Sequence, residues 1–121
     1  MSNRILLVED DQSFGAVLKD YLSINNFDVT LAIDGELGLK EFTEKEFDIC
    51  IFDVMMPKKS GFEVCEILRA EPAFSALRII MLTAKGRDTE QAKGLALGAD
   101  AYMLKPFSTK DLVVKIREIL A

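Results

Sequence analysis

Apolar positions along this chain follow two alternating patterns, short unbroken runs and spaced stripes, from one end to the other. The unbroken runs Ile5–Val8, Ile49–Phe52 and Ile79–Leu82 contain no charged position. They predict strands buried on both faces, as in a parallel sheet. Val29–Ala32 and Ala101–Leu104 are weaker strand candidates, the former suited to a sheet edge. Between the runs, Phe14, Val17, Leu18, Tyr21 and Leu22 form an i, i+3, i+4, i+7, i+8 stripe that predicts a helix. A second helix is expected from Gly35 to Lys45, with Leu39 and Phe42 inward. A third begins at Ser60, where Glu63 completes a capping box, and should bury Val64, Ile67 and Leu68. The last begins at Ser108, with Asp111 in the matching place, and should bury Leu112, Ile116, Ile119 and Leu120. The segment Asp88–Leu97 is the weakest helix: its inner face offers mainly Ala92, Leu95 and Ala96, Gly94 lies inside it, and Gly98 is its expected C-cap. Little burial means low local stability, so this element is the one expected to move.

Five strands and five helices in strict alternation imply an α/β fold, a parallel sheet covered on both faces. Short right-handed crossovers leave few topologies open. A length of 121 residues fits one domain. Half of the residues are hydrophobic, yet no apolar run approaches the ~20 residues of a membrane span. The N-terminus lacks a basic segment followed by an apolar stretch, so no secretory signal is expected. These features predict a cytoplasmic chain with no membrane role. A net charge of −5, from 20 acidic against 15 basic residues, argues against direct nucleic-acid binding. The absence of histidine removes the commonest general base and zinc ligand. Cys50 and Cys65 lie in apolar surroundings without metal or disulfide spacing, and read as buried free thiols.

The chemistry sits at strand ends. Glu9, Asp10 and Asp11 directly follow the first strand, Asp53 ends the third, Thr83 the fourth, and Lys105, followed by Pro106, the fifth. In open α/β sheets the carboxyl ends of the strands line the ligand crevice. Two carboxylates about 4 Å apart repel by roughly 4 kcal/mol at an effective dielectric of ~20, so a cation should live there. Lys105 supplies one positive charge against the three of Glu9, Asp10 and Asp53, and a divalent ion would balance the rest. All-oxygen ligands with room for water suit Mg²⁺ better than Ca²⁺. With Mg²⁺, a carboxylate, a hydroxyl and a lysine, the natural chemistry is phosphoryl transfer, in which a carboxylate can be the nucleophile.

Glu9-Asp10, Asp53-Val54-Met55-Met56-Pro57, Ser60-Gly61, Thr83-Ala84, Gly98-Ala99-Asp100-Ala101-Tyr102 and Lys105-Pro106-Phe107, at these spacings, resemble the receiver domain of two-component response regulators. The resemblance covers essentially the whole chain, residues 1–121, and implies a flavodoxin-like doubly wound five-stranded parallel sheet of order 2-1-3-4-5 with five helices. It implies a phosphorylation-activated signalling switch rather than a conventional enzyme, one that catalyses its own phosphotransfer and slow autodephosphorylation. Asp53 would accept a phosphoryl group from a partner histidine kinase or phosphotransfer protein. Asp10, Asp53 and the main-chain carbonyl of Met55 would bind Mg²⁺, with Glu9 acting mostly through a metal-bound water. Lys105 would pair with Asp53 at rest and with a phosphoryl oxygen afterwards. Thr83 would bond another oxygen, and Tyr102 would turn from an exposed to an inward rotamer. The face around the fourth helix and fifth strand would then repack to control an output partner or domain. Lys105-Pro106 is expected to be cis. Lys85 and Met55, two positions after Thr83 and Asp53, are placed to tune water attack on the phosphoryl group. The resemblance also raises a homodimer through the fourth helix, fifth strand and fifth helix, where Lys93, Asp100, Asp111 and Lys115 retain some of the usual charges while Gln91 and Ala101 do not.

Three other readings compete. A flavin-binding electron carrier on the same fold would want a Gly/Ser/Thr-rich phosphate cradle where Glu9-Asp10-Asp11 stands. A hydrolytic aspartate phosphatase would want a second aspartate two residues after Asp53, where Met55 stands. A receiver-like protein-interaction module working without phosphorylation would not need the intact acceptor set.

Overall fold

Each apolar run forms a strand, and every strand is followed by a helix on one face of the sheet. The computed structural model describes residues 3–56, 58–84 and 88–121. In chain order the elements are β1 (Arg4–Val8), α1 (Gln12–Ile24), β2 (Asp28–Ala32), α2 (Gly35–Glu41), β3 (Ile49–Asp53), α3 (Gly61–Ala70), a 3₁₀ turn (Pro72–Phe74), β4 (Arg78–Ala84), α4 (Asp88–Ala96), β5 (Ala101–Lys105) and α5 (Thr109–Leu120). All strand pairs are parallel and the sheet order is β2-β1-β3-β4-β5. The expected fold and strand order are therefore present, with β2 at one edge.

Alternate residues of each run serve opposite faces, which is why the runs contain no polar gap. Ile5, Leu7, Ile49, Ile51, Ile80 and Leu82 pack with Leu18 and Leu22 of α1 and Leu112, Val113 and Ile116 of α5. Leu6, Val8, Cys50, Phe52, Ile79 and Met81 face the other way, onto Val64, Cys65 and Leu68 of α3. Cys50 and Cys65 are buried free thiols, as expected. Among the described residues no helix is long and apolar enough to cross a membrane.

Helix starts follow side-chain chemistry. Asp11 accepts the Phe14 N–H at 3.0 Å, Asp34 that of Leu37 at 2.8 Å and Ser108 that of Asp111 at 3.0 Å. Ser60 and Glu63 form the full capping box. Such caps satisfy donors that the helix leaves unpaired.

Several inward faces differ from the stripes. Val17 and Ile67 are exposed, and Ile119 and Leu120 are only half-buried. In α1 the line that meets the sheet is Gly15, Leu18 and Leu22, because Gly15 lets the helix approach until an added Cβ would lie 3.1 Å from Leu31. That rotation turns Val17 outward. The second helix ends at Glu41 rather than Lys45: Thr43 bonds back to the Lys40 carbonyl, and Phe42 instead packs on Phe47 and Phe74, with ring centroids 5.2 and 4.9 Å away. In α4, Ala92, Leu95 and Ala96 are exposed, and among the described side-chain positions of this helix Gly94 is the buried one. A Cβ on Gly94 would stand 2.6 Å from the Tyr102 hydroxyl and 2.8 Å from the Met81 sulfur, so absence of a side chain is what lets α4 lie close. Gly98 follows α4 with φ of 111°, in its expected capping place.

Candidate functional site

Parallel register delivers the expected residues to one edge. Val8, the last residue of β1, pairs with Ala32 and Phe52, and Glu9 follows it. Asp53 ends β3 opposite Leu82 of β4, Thr83 stands one residue on opposite Leu104, and Lys105 ends β5. Residues 52 positions apart in sequence thereby meet: the Lys105 ammonium donates to Asp53 Oδ2 in a direct ion pair. The same ammonium lies 3.6 Å from Glu9 Oε1. The Lys105–Pro106 peptide is cis, as expected.

Glu9 is 2% exposed, an unusual position for a carboxylate. Its Oε2 accepts the Asp11 N–H at 3.0 Å, and its buried Oε1 makes no hydrogen bond among the described residues. Burial pushes the Glu9 carboxyl above its ordinary value; the Asp11 N–H and the charge of Lys105 oppose the shift, and the neighbouring Asp10 adds to it. For Lys105, burial alone would lower the ammonium's value. The hydrogen bond and charge of Asp53, aided by Glu9, outweigh burial and hold it above the ordinary lysine range. The resting arrangement is thus an ammonium shared by two carboxylates.

Around this pair, Asp53 Oδ1 accepts the Met55 N–H at 2.9 Å, while the Met55 side chain is exposed. Gly61 explains the shape of the turn behind Asp53. Its N–H donates to the Val54 carbonyl at 2.8 Å, and a Cβ there would lie 2.9 Å from Val54 Cα. Asp10 is exposed and Thr83 is buried. Asp11 caps α1, and its carboxylate serves the helix. Tyr102 is already half-buried, packed with the α3-side core, its hydroxyl against Gly94. Lys85, Pro57 and the Gln91 side chain lie outside the described residues.

Two contacts escaped the sequence stripes. Phe14, counted there only as a core residue, sets its ring centroid 5.6 Å from Lys105 Nζ. The available signal was its place in the first turn of α1, the helix that starts at the carboxyl edge of the sheet just after Glu9 and Asp10. Asp100, expected on a dimer face, accepts at Oδ2 from the Arg69 guanidinium at 2.7 Å and from the Ile79 N–H at 2.8 Å. Lys93 lies over the Phe62 ring and Lys115 pairs with Glu118, so three of the four charges expected there have partners within the chain.

The oxygen-rich donor set and the unsatisfied Glu9 Oε1 fit a hard divalent cation. Among the described residues no three acidic, histidine or cysteine side chains form a ready-made cage. That is compatible with Mg²⁺, which is usually held by one or two carboxylates and keeps several waters. An aspartate, a buried hydroxyl-bearing residue and a lysine ammonium at one edge can take up a phosphoryl group and hold its charge.

Comparison with known proteins agrees with this architecture. A family model described as the response regulator receiver domain matches residues 5–117. Transcriptional regulatory protein RprY of Bacteroides fragilis is 44% identical over 117 residues, covering 97% of this chain and 49% of the relative. Transcriptional regulatory protein CpxR of Escherichia coli is 42% identical over 118 residues, covering 98% and 49%. The chain therefore spans about half the length of these curated relatives. The solved structure of chemotaxis response regulator CheY4 of Vibrio cholerae superposes with a TM-score of 0.92 at 28% identity, covering 98% of this chain and 99% of that one.

Proposed function

This chain belongs to the response regulator receiver domain family, and from that premise we propose that it is a switch operated by phosphorylation of Asp53. The observation that carries this reading is the Lys105 ammonium held between Asp53 and Glu9 at the edge where Thr83 also arrives. A phosphohistidine of a histidine kinase or phosphotransfer protein is the donor. An Asp53 oxygen attacks phosphorus, the N–P bond breaks, and the imidazole leaves with the bonding electrons. Asp10, Asp53 and the Met55 carbonyl would hold Mg²⁺, with Glu9 acting at one remove. When bound, the ion would supply charge neutralisation at this edge.

Phosphorylation converts one negative charge at Asp53 to nearly two and adds acceptor oxygens. Lys105 then exchanges the carboxylate for a phosphoryl oxygen, and Thr83 bonds another. The cheapest structural response lies in α4, which contacts the sheet through Gly94 rather than through a large apolar side chain. Tyr102, packed against Gly94, senses that movement, and the α4–β5 surface carries the signal to an output partner or to a further region of a longer chain. Exposed Leu95 and Leu104 make the same surface a candidate homodimer face.

Incubation with Mg²⁺ and acetyl phosphate, followed by intact mass measurement, tests the reading. Wild type is expected to gain one phosphate and Asp53→Asn none. Wild type without added phosphate, or equal gain by both, sinks it and favours an interaction module that works without phosphorylation.

A further inference from the structure

Among the described residues, the Lys105 ammonium meets the Asp53 carboxylate, Glu9 Oε1 at 3.6 Å and the ring of Phe14 at 5.6 Å from centroid to Nζ. We propose that Phe14 is a positioning residue of the phosphoacceptor site, its ring holding the Lys105 ammonium in place while the charge on Asp53 changes. The inference rests on the functional reading above and deepens it.

A cation over an aromatic face within about 6 Å is attracted by the ring quadrupole. The ring is itself held from two sides. The Phe14 N–H donates to Asp11 Oδ1 at 3.0 Å, and the Asp11 N–H donates to Glu9 Oε2 at 3.0 Å. On the other side the ring meets Phe107 edge-on, centroids 6.1 Å apart and planes at 61°. Phe107 lies two residues after Lys105, so the aromatic pair ties the first turn of α1 to the strand end that carries the lysine. One turn thus places both the Glu9 carboxylate and the Phe14 ring beside the same ammonium.

A lysine ammonium rides on a flexible four-carbon stem. When Asp53 is phosphorylated, its own contact with Lys105 is exchanged, whereas Glu9 and Phe14 keep their chemistry. The ring carries no formal charge. It can restrain the ammonium without competing for it as strongly as another carboxylate would.

The test uses the full chain and Phe14→Leu, Phe14→Tyr and Phe14→Trp variants, each first checked for a cooperative melt. In the reaction followed, an Asp53 oxygen attacks the phosphorus of acetyl phosphate in Mg²⁺ and acetate leaves with the electrons of the broken P–O bond. Loss of the aromatic face in Phe14→Leu is expected to slow the initial rate about two- to fivefold, the size of a partly exposed cation–π contact. Phe14→Tyr should restore it and Phe14→Trp should match or exceed wild type. A role in packing alone predicts the reverse order, with Leu near wild type and the bulkier Trp worst. The second readout needs neither metal nor donor. In NMR spectra the Lys105 ε-methylene protons should lie upfield of the other lysines through the ring current, and return to the common position in Phe14→Leu. Phosphorylation of wild type and Phe14→Leu at equal rates, a rate loss that Tyr does not rescue, or Lys105 signals that ignore the substitution would each overturn the inference alone. Wild type that gains no phosphate overturns the functional reading, and this inference with it. Should Phe14→Leu not fold, Phe14→Met takes its place with the same expected loss.

Discussion

Glu9 and Cys50 are both groups that burial pushes toward their neutral forms, but their surroundings answer differently. Glu9 is drawn back by the Asp11 N–H and Lys105, so it keeps a place in the charge chemistry of the site. At Cys50 burial and the nearby Cys65 act in the same direction, raising the thiol well above its ordinary value of 9.0. The native state therefore holds that proton more tightly than the unfolded chain does. Its contribution to stability is complete below pH 9.0 and is lost as the pH rises from there through the raised native value. The thiolate is the reactive form. Cys50 is accordingly expected to resist Ellman's reagent in native protein at pH 9.0 and to react fully in denaturant. Rapid labelling without unfolding would contradict its placement.

Elements are held together at the end of the sheet opposite Asp53 by Arg69 in the last turn of α3. Its guanidinium donates to the carbonyls of Gly98 at 2.9 Å, Leu77 at 2.7 Å and Phe74 at 3.2 Å, and to Asp100 at 2.7 Å. One side chain thereby joins α3, the 3₁₀ turn, the start of β4 and the turn before β5. Arg69→Gln should cost roughly 2–4 kcal/mol, because carbonyls lose a charged donor in a partly buried setting. Arg69→Lys should recover little of it, since an ammonium lacks the planar fork that reaches several acceptors at once. Urea unfolding checks both, and a loss under about 0.5 kcal/mol for Gln would contradict the assignment. Packing of the helices carries a related lesson. Gly15, Gly35, Gly38, Gly61 and Gly94 all lie on buried surfaces of helices, where an apolar stripe has no side chain to register. A stripe is blind to contacts made by having no side chain, which is why Val17 and Leu95 face solvent beside Gly15 and Gly94, while in α3 Cys65 takes the inward place expected of Ile67.

For the whole molecule, a net charge of −5 and the convergence of Glu9, Asp10 and Asp53 on one edge make cation binding a stability term as well as a functional one. An ion that binds only the folded chain at a hundredfold excess over its Kd adds about 2.7 kcal/mol, a rise of roughly 10 °C in Tm for a domain of this size. Mg²⁺ is expected to produce such a rise in wild type, and Asp10→Ala to abolish it. Asp11→Ala should lower Tm through loss of the α1 cap yet keep the Mg²⁺ response. Calorimetry with and without Mg²⁺ checks the pair, and equal responses of the two variants would remove the distinction between these adjacent acids. The order and type of all five strands and five helices, the parallel sheet and the residues at its carboxyl edge were legible in the sequence alone. The reason is local: an unbroken apolar run makes a buried strand, and whatever follows its last residue must emerge at that edge. Only the tertiary structure decided the partners. Lys105 between Asp53 and Glu9 with Phe14 behind it, Tyr102 beneath Gly94, and Asp100 turned to Arg69 all depend on helix rotation and strand register. Those bring together positions as distant as Asp53 and Lys105, and no local periodicity encodes a distance across a sheet.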